Sequence, residues 1–319
     1  MSEPTSKPRY IIIAGPTAAG KTAAAVELAL LIGGEVISAD SMQIYKFMDI
    51  GTAKPKAEDL KGVPHYLIDE LCPGEHYSAY GFKARAEPIA ADISARGKHP
   101  IICGGTGFYI NALINGTDFV HMAADEDIRR ELYALAEKEG AETLHRKLEA
   151  LDPEGAAEIH PNNIKRVIRA LEFYKQTGTP ISAHNTKERE KIRQSEPKNA
   201  KYALLTMDRV KLYDRINKRV DSMVNEGLEK EVRGLLERGY SPDLPSMQGL
   251  GYKEMVRYIR GECSLDQAAD AIKIGTRRYA KRQWTWFSRQ IDQSICYWYD
   301  VEDFGGPRDL AERIKVDLL

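Results

Sequence analysis

The fold of this chain is set by residues 10–22, which read YIIIAGPTAAGKT. The first part contains Ile11, Ile12 and Ile13, and such a run of β-branched residues favours a buried strand. The next part fits the P-loop pattern G-x-x-x-x-G-K-[ST]. It consists of Gly15, Pro16, Thr17, Ala18, Ala19, Gly20, Lys21 and Thr22. We predict that these residues bind a diphosphate or a triphosphate, because glycines let backbone N–H groups surround a phosphate at the start of a helix.

Two side chains of the P-loop carry individual predictions. Lys21 can reach the outer phosphate oxygens. The Thr22 hydroxyl is placed to hold Mg²⁺, so Mg²⁺ is the predicted cofactor. The alternative interpretation, an ordinary glycine turn, is disfavoured because a strand pattern precedes the motif and an alanine-rich helix pattern follows it.

The composition is that of an ordinary globular protein, with 319 residues and a formal net charge of −1. The four cysteines are scattered without a C-x-x-C pair, so neither a zinc site nor a disulfide framework is expected. Residues 1–9 are polar and contain two prolines, which fits neither a signal peptide nor a membrane anchor. Since no apolar run approaches the length of a membrane span, we expect a cytoplasmic protein without a membrane partner.

Strand patterns recur at residues 35–39, 100–103, 202–206 and 295–299, and helix patterns lie between them. From about residue 116 to residue 201 the strand patterns stop, and apolar residues repeat at helical spacing. We therefore predict an α/β fold with a P-loop NTPase-like parallel sheet core, helices on both faces and an all-helical insertion domain. The core would comprise residues 1–117 and 200–319, and the insertion residues 118–199.

Asp40 directly follows the second strand pattern. In a doubly wound sheet the carboxyl ends of strands line the ligand crevice, which would place Asp40 near the P-loop phosphates. Its alternative role is to cap the next turn. The third strand pattern ends in Cys103, Gly104 and Gly105, where many P-loop ATPases and GTPases carry an acidic Mg²⁺ ligand. This difference counts against a nucleotide-hydrolysing motor or switch.

Arginines recur on a helix pattern over residues 209–219, and the helix pattern continues over 226–238. Arg215 and Arg219 are four residues apart on one helix face, so they could clamp phosphate oxygens bidentately. A solvated helix face would show the same residues. The sequence leaves open which of Arg209, Arg215 and Arg219 touches a phosphate.

Residues 273–289 carry six Lys or Arg residues and no acidic residue, with Trp284, Trp286 and Phe287 between them. Basic residues with interspersed aromatics suit phosphate-backbone contact plus base stacking. A helix with one aromatic core face and one solvated basic face would look similar. A second basic cluster at residues 165–169 favours nucleic acid as the partner.

Motifs along the chain resemble those of the tRNA dimethylallyltransferase family, the tRNA isopentenyltransferases. The matching stretches are residues 15–22, 40–45, 50–55, 104–106, 160–163 with Arg166 and Arg169, 251–253 and 281–287. They occur in the family's order over nearly the whole chain. Ala19 stands where the family often has Ser, and the zinc-finger extension of eukaryotic members is missing, so the chain resembles a bacterial form.

The resemblance implies transfer of a dimethylallyl group from dimethylallyl diphosphate to the exocyclic amine of the adenosine immediately 3′ of the anticodon in tRNA. Asp40 is the family's candidate general base for that reaction. Lys21, with Mg²⁺ held by Thr22, would stabilise charge on the diphosphate leaving group. Thr106 and Arg129 match family positions that contact tRNA near the target base. The predicted catalytic residues are thus Asp40, Lys21, Thr106 and Arg129.

The resemblance also implies binding residues for both substrates. Arg215 and Arg219 would close over the diphosphate. The implied tRNA-binding residues are Asp40, Ser41, Met42, Gln43, Thr106, Arg129, Lys165, Arg166, Val167, Ile168, Arg169, Gln248, Gly249, Leu250, Gly251, Tyr252, Lys253, Lys281, Arg282, Gln283, Trp284, Thr285, Trp286, Phe287 and Ser288. The insertion domain would grip the anticodon stem-loop, and we expect the protein to be a monomer.

Three other functions share part of this pattern. A small-molecule or nucleotide kinase would hold ATP in the same P-loop and use Asp40 to accept a hydroxyl proton, but it leaves the tryptophan-rich basic segment unexplained. An isopentenyltransferase for free adenine nucleotide would have little use for a basic insertion. A non-catalytic RNA-binding module would use the P-loop only to sense a ligand.

Overall fold

The structure is a computed structural model that describes residues 10–115, 125–194 and 200–319. The prediction made for residues 1–9 lies outside the described residues, and so do residues 117, 118 and 199, at which the predicted domain boundaries fall. Contacts between Cα atoms divide the chain into two compact units, Met1–Asn115 with Lys198–Leu319 and Gly116–Pro197. Among the described residues, no helix combines the length and the apolar character that crossing a bilayer requires.

Within the described residues, the first unit is built on one parallel six-stranded sheet with the order β3–β2–β4–β1–β5–β6. The strands are β1 (Tyr10–Ala14), β2 (Gly34–Ser38), β3 (His65–Tyr66), β4 (His99–Gly104), β5 (Ala200–Thr206) and β6 (Cys296–Asp300). The strand before the P-loop lies in the middle of the sheet, where Ile13 is in register with Cys103 of β4 and Ala203 of β5. The predicted parallel sheet is confirmed.

The helices of this unit precede and follow the strands along the chain. They are α1 (Lys21–Ile32), α2 (Ala79–Ala95), α3 (Gly107–Ile114), α9 (Arg209–Glu226), α10 (Leu228–Glu237), α11 (Tyr252–Ile259), α12 (Leu265–Gln290) and α13 (Pro307–Leu318). Ile11 and Ile13 pack with Leu28 of α1 and Ile314 of α13 on one face of the sheet. Ile12 points to the opposite face and is also fully buried, so both faces of β1 are covered.

The helix predicted to continue over residues 226–238 is interrupted, and the prediction is wrong at Gly227. This residue has φ of 100°, so α9 ends at Glu226 and α10 begins at Leu228. Glycine takes the left-handed conformation without the Cβ clash that other residues meet, which is why it ends α9.

The second unit is helical throughout its described residues. Its helices are α4 (Glu126–Glu139), α5 (Ala141–Leu151), α6 (Pro153–Glu158), α7 (Ile164–Thr177) and α8 (Ile181–Gln194). Leu132 of α4, Leu144 and Leu148 of α5 and Leu171 of α7 share one buried cluster. The unit therefore has a hydrophobic core of its own, as the helical spacing of its apolar residues predicts.

Candidate active site

The P-loop joins β1 to α1 in a conformation that depends on glycine. Gly15 has φ of 142°, and a Cβ there would collide with the backbone oxygen of Leu205. Gly20 has φ of 85° and precedes the first residue of α1, Lys21. Because Gly20 has no side chain with which to cap the helix, the first N–H groups of α1 face the loop. They form the kind of helix N-terminus that binds anions.

Lys21 lies inside the loop, where its Nζ donates a hydrogen bond to the Pro16 carbonyl oxygen at 2.8 Å. Burial lowers the pKa of Lys21 to about 8, and the charge of Arg219 adds to this effect while Cys103 and Asp40 oppose it. Lys21 is partly buried, and its cation can interact strongly with a phosphate that enters the loop.

Asp40 follows β2 at the same end of the sheet as the P-loop. Its Oδ1 accepts hydrogen bonds from the backbone N–H groups of Met42 at 2.9 Å and Gln43 at 3.4 Å. Asp40 therefore caps the next turn, and it also lines the pocket that contains Lys21. The sequence left open whether Asp40 caps a turn or acts in the ligand crevice. The two roles are compatible, since Oδ1 holds the turn and Oδ2 stays available to a ligand in the pocket.

Thr106 and Tyr279 lie beside this turn. The Thr106 Oγ1 accepts a hydrogen bond from the backbone N–H of Ser41 at 3.2 Å, and the Tyr279 side chain hydrogen-bonds to Thr106. Burial, with a smaller effect of the Asp40 charge, raises the pKa of Tyr279 to about 12, so its hydroxyl stays a donor. No local pattern marked Tyr279, which stands in the sequence only as one residue of a basic helix.

One pocket of about 650 Å³ brings the P-loop and the Asp40 turn together. Its lining includes Thr17, Lys21, Thr22, Asp40, Gln43, Ile50, Ala53, Lys54, Cys103, Gly104 and Arg219. Its lining carries five Lys or Arg side chains and six Asp or Glu side chains, with Lys21 and Asp40 among them. A pocket of this size suits a small phosphorylated ligand.

Arg219 is the arginine of α9 that reaches the pocket. Desolvation, followed by the charge of the neighbouring Arg215, lowers the pKa of Arg219. Arg209 begins α9 and does not line this pocket. Arg219 is thus the one of the three arginines that lines the pocket, and which of them contacts a phosphate stays a prediction.

The basic and aromatic residues of α12 divide between two faces. Gln283 and Phe287 are buried, and the Trp286 ring lies so close to Gly107 of α3 that a Cβ there would collide with it. Trp284 is half exposed, and the adjacent Lys281 and Arg282 are exposed. The helix therefore has the buried aromatic face and the exposed basic face of the second interpretation, and contact with a phosphate backbone stays a prediction.

Gln283 connects α12 to the P-loop. Its Oε1 accepts a hydrogen bond from the Thr17 backbone N–H, and its Nε2 donates one to the Gly105 carbonyl oxygen. The family resemblance implied that Gln283 contacts tRNA. Its helical spacing from the buried Ala280 and Phe287 was the available signal that it faces inward.

The segment at residues 248–253 also has buried and exposed members. Tyr252 is fully buried, whereas Gln248 and Lys253 are exposed. The Gln248 Nε2 donates a hydrogen bond to the Pro242 carbonyl oxygen at 2.8 Å. The two exposed side chains are thus the ones that can reach an external ligand.

In the helical unit, the predicted tRNA contacts at residues 165–169 lie on α7. Lys165 and Arg166 are exposed, but Val167 and Ile168 are buried in the core of the unit, so their side chains hold the helix in place. This leaves Lys165 and Arg166, with the partly exposed Arg169, as the charged surface of this stretch.

Arg129 and Arg169 converge on one buried carboxylate, Glu172. Arg129 Nε donates to Glu172 Oε1 at 3.0 Å, and Arg169 Nη1 donates to Oε2 at 3.1 Å. Burial raises the pKa of Glu172, but hydrogen bonds from the Asp125 N–H and from both arginines outweigh it and lower the pKa. Glu172 thus stays ionised and fixes the two guanidinium groups.

The donor set of the pocket fits Mg²⁺ carried in by a phosphate ligand. Thr22 and Asp40 both line the pocket and offer oxygen atoms, which are the ligands that Mg²⁺ prefers. No group of three or more His, Cys, Asp or Glu residues that could hold a metal occurs among the described residues. Mg²⁺ commonly binds through few protein ligands together with water and phosphate oxygens, so this sparse set suits it.

Comparisons with known proteins extend over nearly the whole chain. Residues 43–290 match the IPP transferase family, and residues 8–73 match the isopentenyl transferase family. The tRNA dimethylallyltransferase of Acetivibrio thermocellus is 50% identical over 97% of this chain and 96% of its own length. That of Lachnoclostridium phytofermentans is 48% identical over 96% of each chain.

Solved structures agree with these matches. The full-length tRNA isopentenylpyrophosphate transferase of Bacillus halodurans superposes with a TM-score of 0.71 at 45% identity, covering 98% of this chain and 96% of that one. A eukaryotic dimethylallyltransferase, solved acting on tRNA, superposes with a TM-score of 0.75 at 28% identity, covering 92% of this chain and 74% of its own. On this sequence and structural evidence, the chain belongs to the IPP transferase family.

Proposed function

We propose that the protein transfers a dimethylallyl group from dimethylallyl diphosphate to the exocyclic amine of the adenosine immediately 3′ of the anticodon in tRNA. The observation that carries this proposal is the single pocket that holds an anion-binding P-loop and the Asp40 carboxylate. The curated relatives named tRNA dimethylallyltransferase support it, at up to 50% identity over nearly the full length.

The P-loop end of the pocket would bind the diphosphate. Lys21 and Arg219 carry positive charge there, and the N-terminus of α1 adds its N–H groups. The Thr22 hydroxyl would hold Mg²⁺, which would supply positive charge opposite the leaving group. These groups stabilise the transition state as the C–O bond to the diphosphate breaks.

Asp40 would act as the general base. An adenine amine is a weak nucleophile, because its lone pair is delocalised into the ring. As the amine nitrogen bonds to the allylic carbon, one N–H proton would pass to the Asp40 carboxylate and the diphosphate would leave. The hydrogen bonds from Met42 and Gln43 to one Asp40 oxygen would hold the other oxygen in position.

The tRNA, which accepts the dimethylallyl group, would contact exposed cationic and polar residues of the first unit and of the helical unit. Lys253, Lys281 and Arg282 are exposed in the first unit, and Lys165 and Arg166 in the helical unit. Their charges suit the phosphate backbone of RNA, and the exposed Trp284 would offer a face for stacking. The target base would have to leave the anticodon-loop stack to reach Asp40, as for other enzymes that modify bases.

We further propose that the helical unit grips the anticodon stem-loop and that Arg129 contacts RNA near the target base. Glu172 supports this role, because it holds Arg129 while leaving part of the guanidinium exposed. The protein would be active as a monomer, since one chain supplies every residue of the proposed site. It would act in the cytoplasm, on the tRNA there.

A transfer assay tests the function. The protein would be incubated with Mg²⁺, labelled dimethylallyl diphosphate and an unmodified tRNA with adenosine beside its anticodon. We expect label at that one base, and loss of label with Asp40→Asn while tRNA binding persists. Asp270→Asn on the exposed surface of α12 is the matched control. Formation of ADP from ATP, with no label in tRNA, would instead identify a kinase.

A further inference from the structure

Glu231 of α10 lies outside the pocket, yet it holds one wall of it. Its Oε2 accepts hydrogen bonds from the backbone N–H groups of Asp49 at 2.8 Å and Ile50 at 2.7 Å. Its Oε1 accepts one from the Gly51 N–H at 3.0 Å. One carboxylate thus fixes three consecutive peptide units, which is a charge-assisted and geometrically specific arrangement.

The peptide units that Glu231 holds belong to the segment that lines the pocket proposed to bind dimethylallyl diphosphate, the prenyl donor. Asp49 and Ile50 line it, and so do the next residues along the chain, Thr52 and Ala53. Gln43 binds this segment from the side of the Asp40 turn, because its Nε2 donates to the Thr52 and Ala53 carbonyl oxygens at 3.4 and 3.3 Å. This segment, the wall, is therefore held both by Glu231 and by Gln43 of the turn that follows Asp40.

The fourth partner of Glu231 is Tyr252, whose hydroxyl donates to Oε1 at 2.7 Å. Tyr252 is fully buried, and its ring lies so near Gly51 that a Cβ there would come within 2.6 Å of it. Burial and the Glu231 charge raise the pKa of Tyr252 well above its usual value, so the hydroxyl remains a donor. Glycine at position 51 is thus required for the tyrosine to reach the carboxylate.

Lys54 also holds this wall. Its side chain is 5% exposed, and its Nζ donates to the Tyr45 carbonyl oxygen at 2.8 Å and to Asp49 Oδ1 and Asp69 Oδ1 at 2.5 Å each. Asp49 is therefore fixed twice, through its backbone by Glu231 and through its side chain by Lys54. A segment held so firmly keeps a set shape before the ligand arrives, which lowers the entropy cost of binding.

We propose that Glu231 is a positioning residue for the transfer reaction, acting through the wall at residues 49–51 to set the affinity for the prenyl diphosphate. The inference rests on the proposed function, since it names that pocket's ligand. Glu231 touches no substrate, so its removal should change donor binding more than the chemical step. A residue with a merely structural role would instead reduce the amount of folded enzyme, leaving the Kd and KM of the folded fraction unchanged.

The test compares Glu231→Gln with Glu229→Gln. Glu229 lies on the same helix and pairs at 2.8 Å with Arg233, four residues away on the surface. Binding of dimethylallyl diphosphate is measured by calorimetry without tRNA, and transfer is measured with the donor and the tRNA varied in turn. We expect Glu231→Gln to raise the Kd and the KM for dimethylallyl diphosphate about tenfold, because the NH₂ group of the glutamine would face backbone N–H groups that now bind a carboxylate oxygen. The kcat and the KM for tRNA should change less than about threefold. Glu229→Gln should behave as wild type.

Tyr252→Phe removes one of the four hydrogen bonds and leaves the three backbone bonds, so it should raise the donor Kd by about two- to threefold. If Glu231→Gln does not fold, the Kd of Tyr252→Phe for dimethylallyl diphosphate tests the inference in its place. An unchanged donor Kd in the folded Glu231→Gln protein, or in Tyr252→Phe when the former is unfolded, would overturn the inference. If the wild-type protein itself failed to bind dimethylallyl diphosphate, the proposed function would be the part that is wrong.

Discussion

Gln283 Oε1 lies 2.8 Å from the backbone nitrogen of Thr17, and Gln283 Nε2 lies 2.9 Å from the carbonyl oxygen of Gly105. One buried amide thus joins the P-loop to the turn that ends β4, across 266 positions of sequence from Thr17. A Cβ at position 105 would collide with the Gln283 amide, so the glycine makes the approach possible. The helix that carries the exposed basic residues is in this way joined to the P-loop.

Replacing Gln283 by leucine should therefore damage the donor site rather than RNA binding alone. The Thr17 N–H and the Gly105 carbonyl would both lose a buried partner, at a cost of about 1–3 kcal/mol for each group. We expect a lower midpoint of thermal unfolding and a ten- to hundredfold weaker Kd for dimethylallyl diphosphate, measured by calorimetry. Gln290→Leu at the exposed end of α12 is the matched control. A variant that loses tRNA affinity but keeps the wild-type donor Kd would contradict this role.

The lowered pKa of Lys21 predicts how donor binding depends on pH. Without a ligand, Lys21 is protonated below its pKa of about 8. The negative charge of a bound diphosphate would raise that pKa. Above pH 8, binding must then take up a proton, so the Kd should rise about fivefold between pH 8 and pH 9. Below pH 8 the Kd should change little on account of this group.

The Lys21→Arg variant provides the comparison, because its guanidinium stays charged throughout this range. Its Kd for dimethylallyl diphosphate, weaker or not, should lack the rise above pH 8. Identical pH profiles for the two proteins would show that another group is responsible.

The parallel sheet and the position of the P-loop after a buried strand follow from local sequence patterns. The run at Ile11–Ile13 is apolar at every position, and the P-loop glycines follow it directly, so this strand and the glycine turn after it were both predictable. Asp40 was predictable for the same reason, since a carboxyl end of a parallel strand has a fixed relation to its neighbours.

Several residues that complete the site have partners too distant in sequence for any local pattern to show. Glu231 binds backbone groups about 180 positions away, and Gln283 binds Thr17 from the far end of the chain. The break at Gly227 depends on a φ of 100°, whereas a single glycine within a helix pattern is often tolerated. Arg215 and Arg219 share one helix face, so only the packing of α9 could distinguish them.

Glu172 in the helical unit should control RNA binding through the two arginines that it holds. In Glu172→Gln the buried amide cannot pair with Arg129 and Arg169 as a carboxylate does, so both side chains become mobile. We expect the KM for tRNA to rise about five- to tenfold while the calorimetric Kd for dimethylallyl diphosphate is unchanged. The control is Glu131→Gln, which loses only an exposed pair with Lys175. An unchanged KM for tRNA in a folded Glu172→Gln protein would argue against this role.

Glu35 of β2 should make the stability of the sheet depend on pH. This carboxylate is 1% exposed, and it accepts hydrogen bonds from Arg96 at 2.6 and 2.7 Å, from Lys98 at 2.6 Å and from the Tyr66 hydroxyl at 2.8 Å. The hydrogen bonds from Arg96, followed by those from Lys98 and Tyr66, outweigh burial and lower the pKa of Glu35 from 4.5 to about 2. A pKa lowered in the folded state contributes stability above the unfolded value of 4.5, and this contribution is lost as the pH falls from 4.5 toward 2.

The contribution of Glu35 should be measurable as a difference between wild type and Glu35→Gln in urea unfolding. At pH 7 we expect the variant to be less stable by about 2 kcal/mol, a figure below the full linkage value because Arg96 and Lys98 are partly exposed. The difference should shrink steadily between pH 4.5 and pH 2, as the wild-type carboxyl takes up its proton. Glu312→Gln, which loses an exposed pair with Arg308, should show almost no difference at either pH. If the gap between wild type and Glu35→Gln is the same at pH 7 and at pH 2.5, the carboxylate does not stabilise the sheet through its charge.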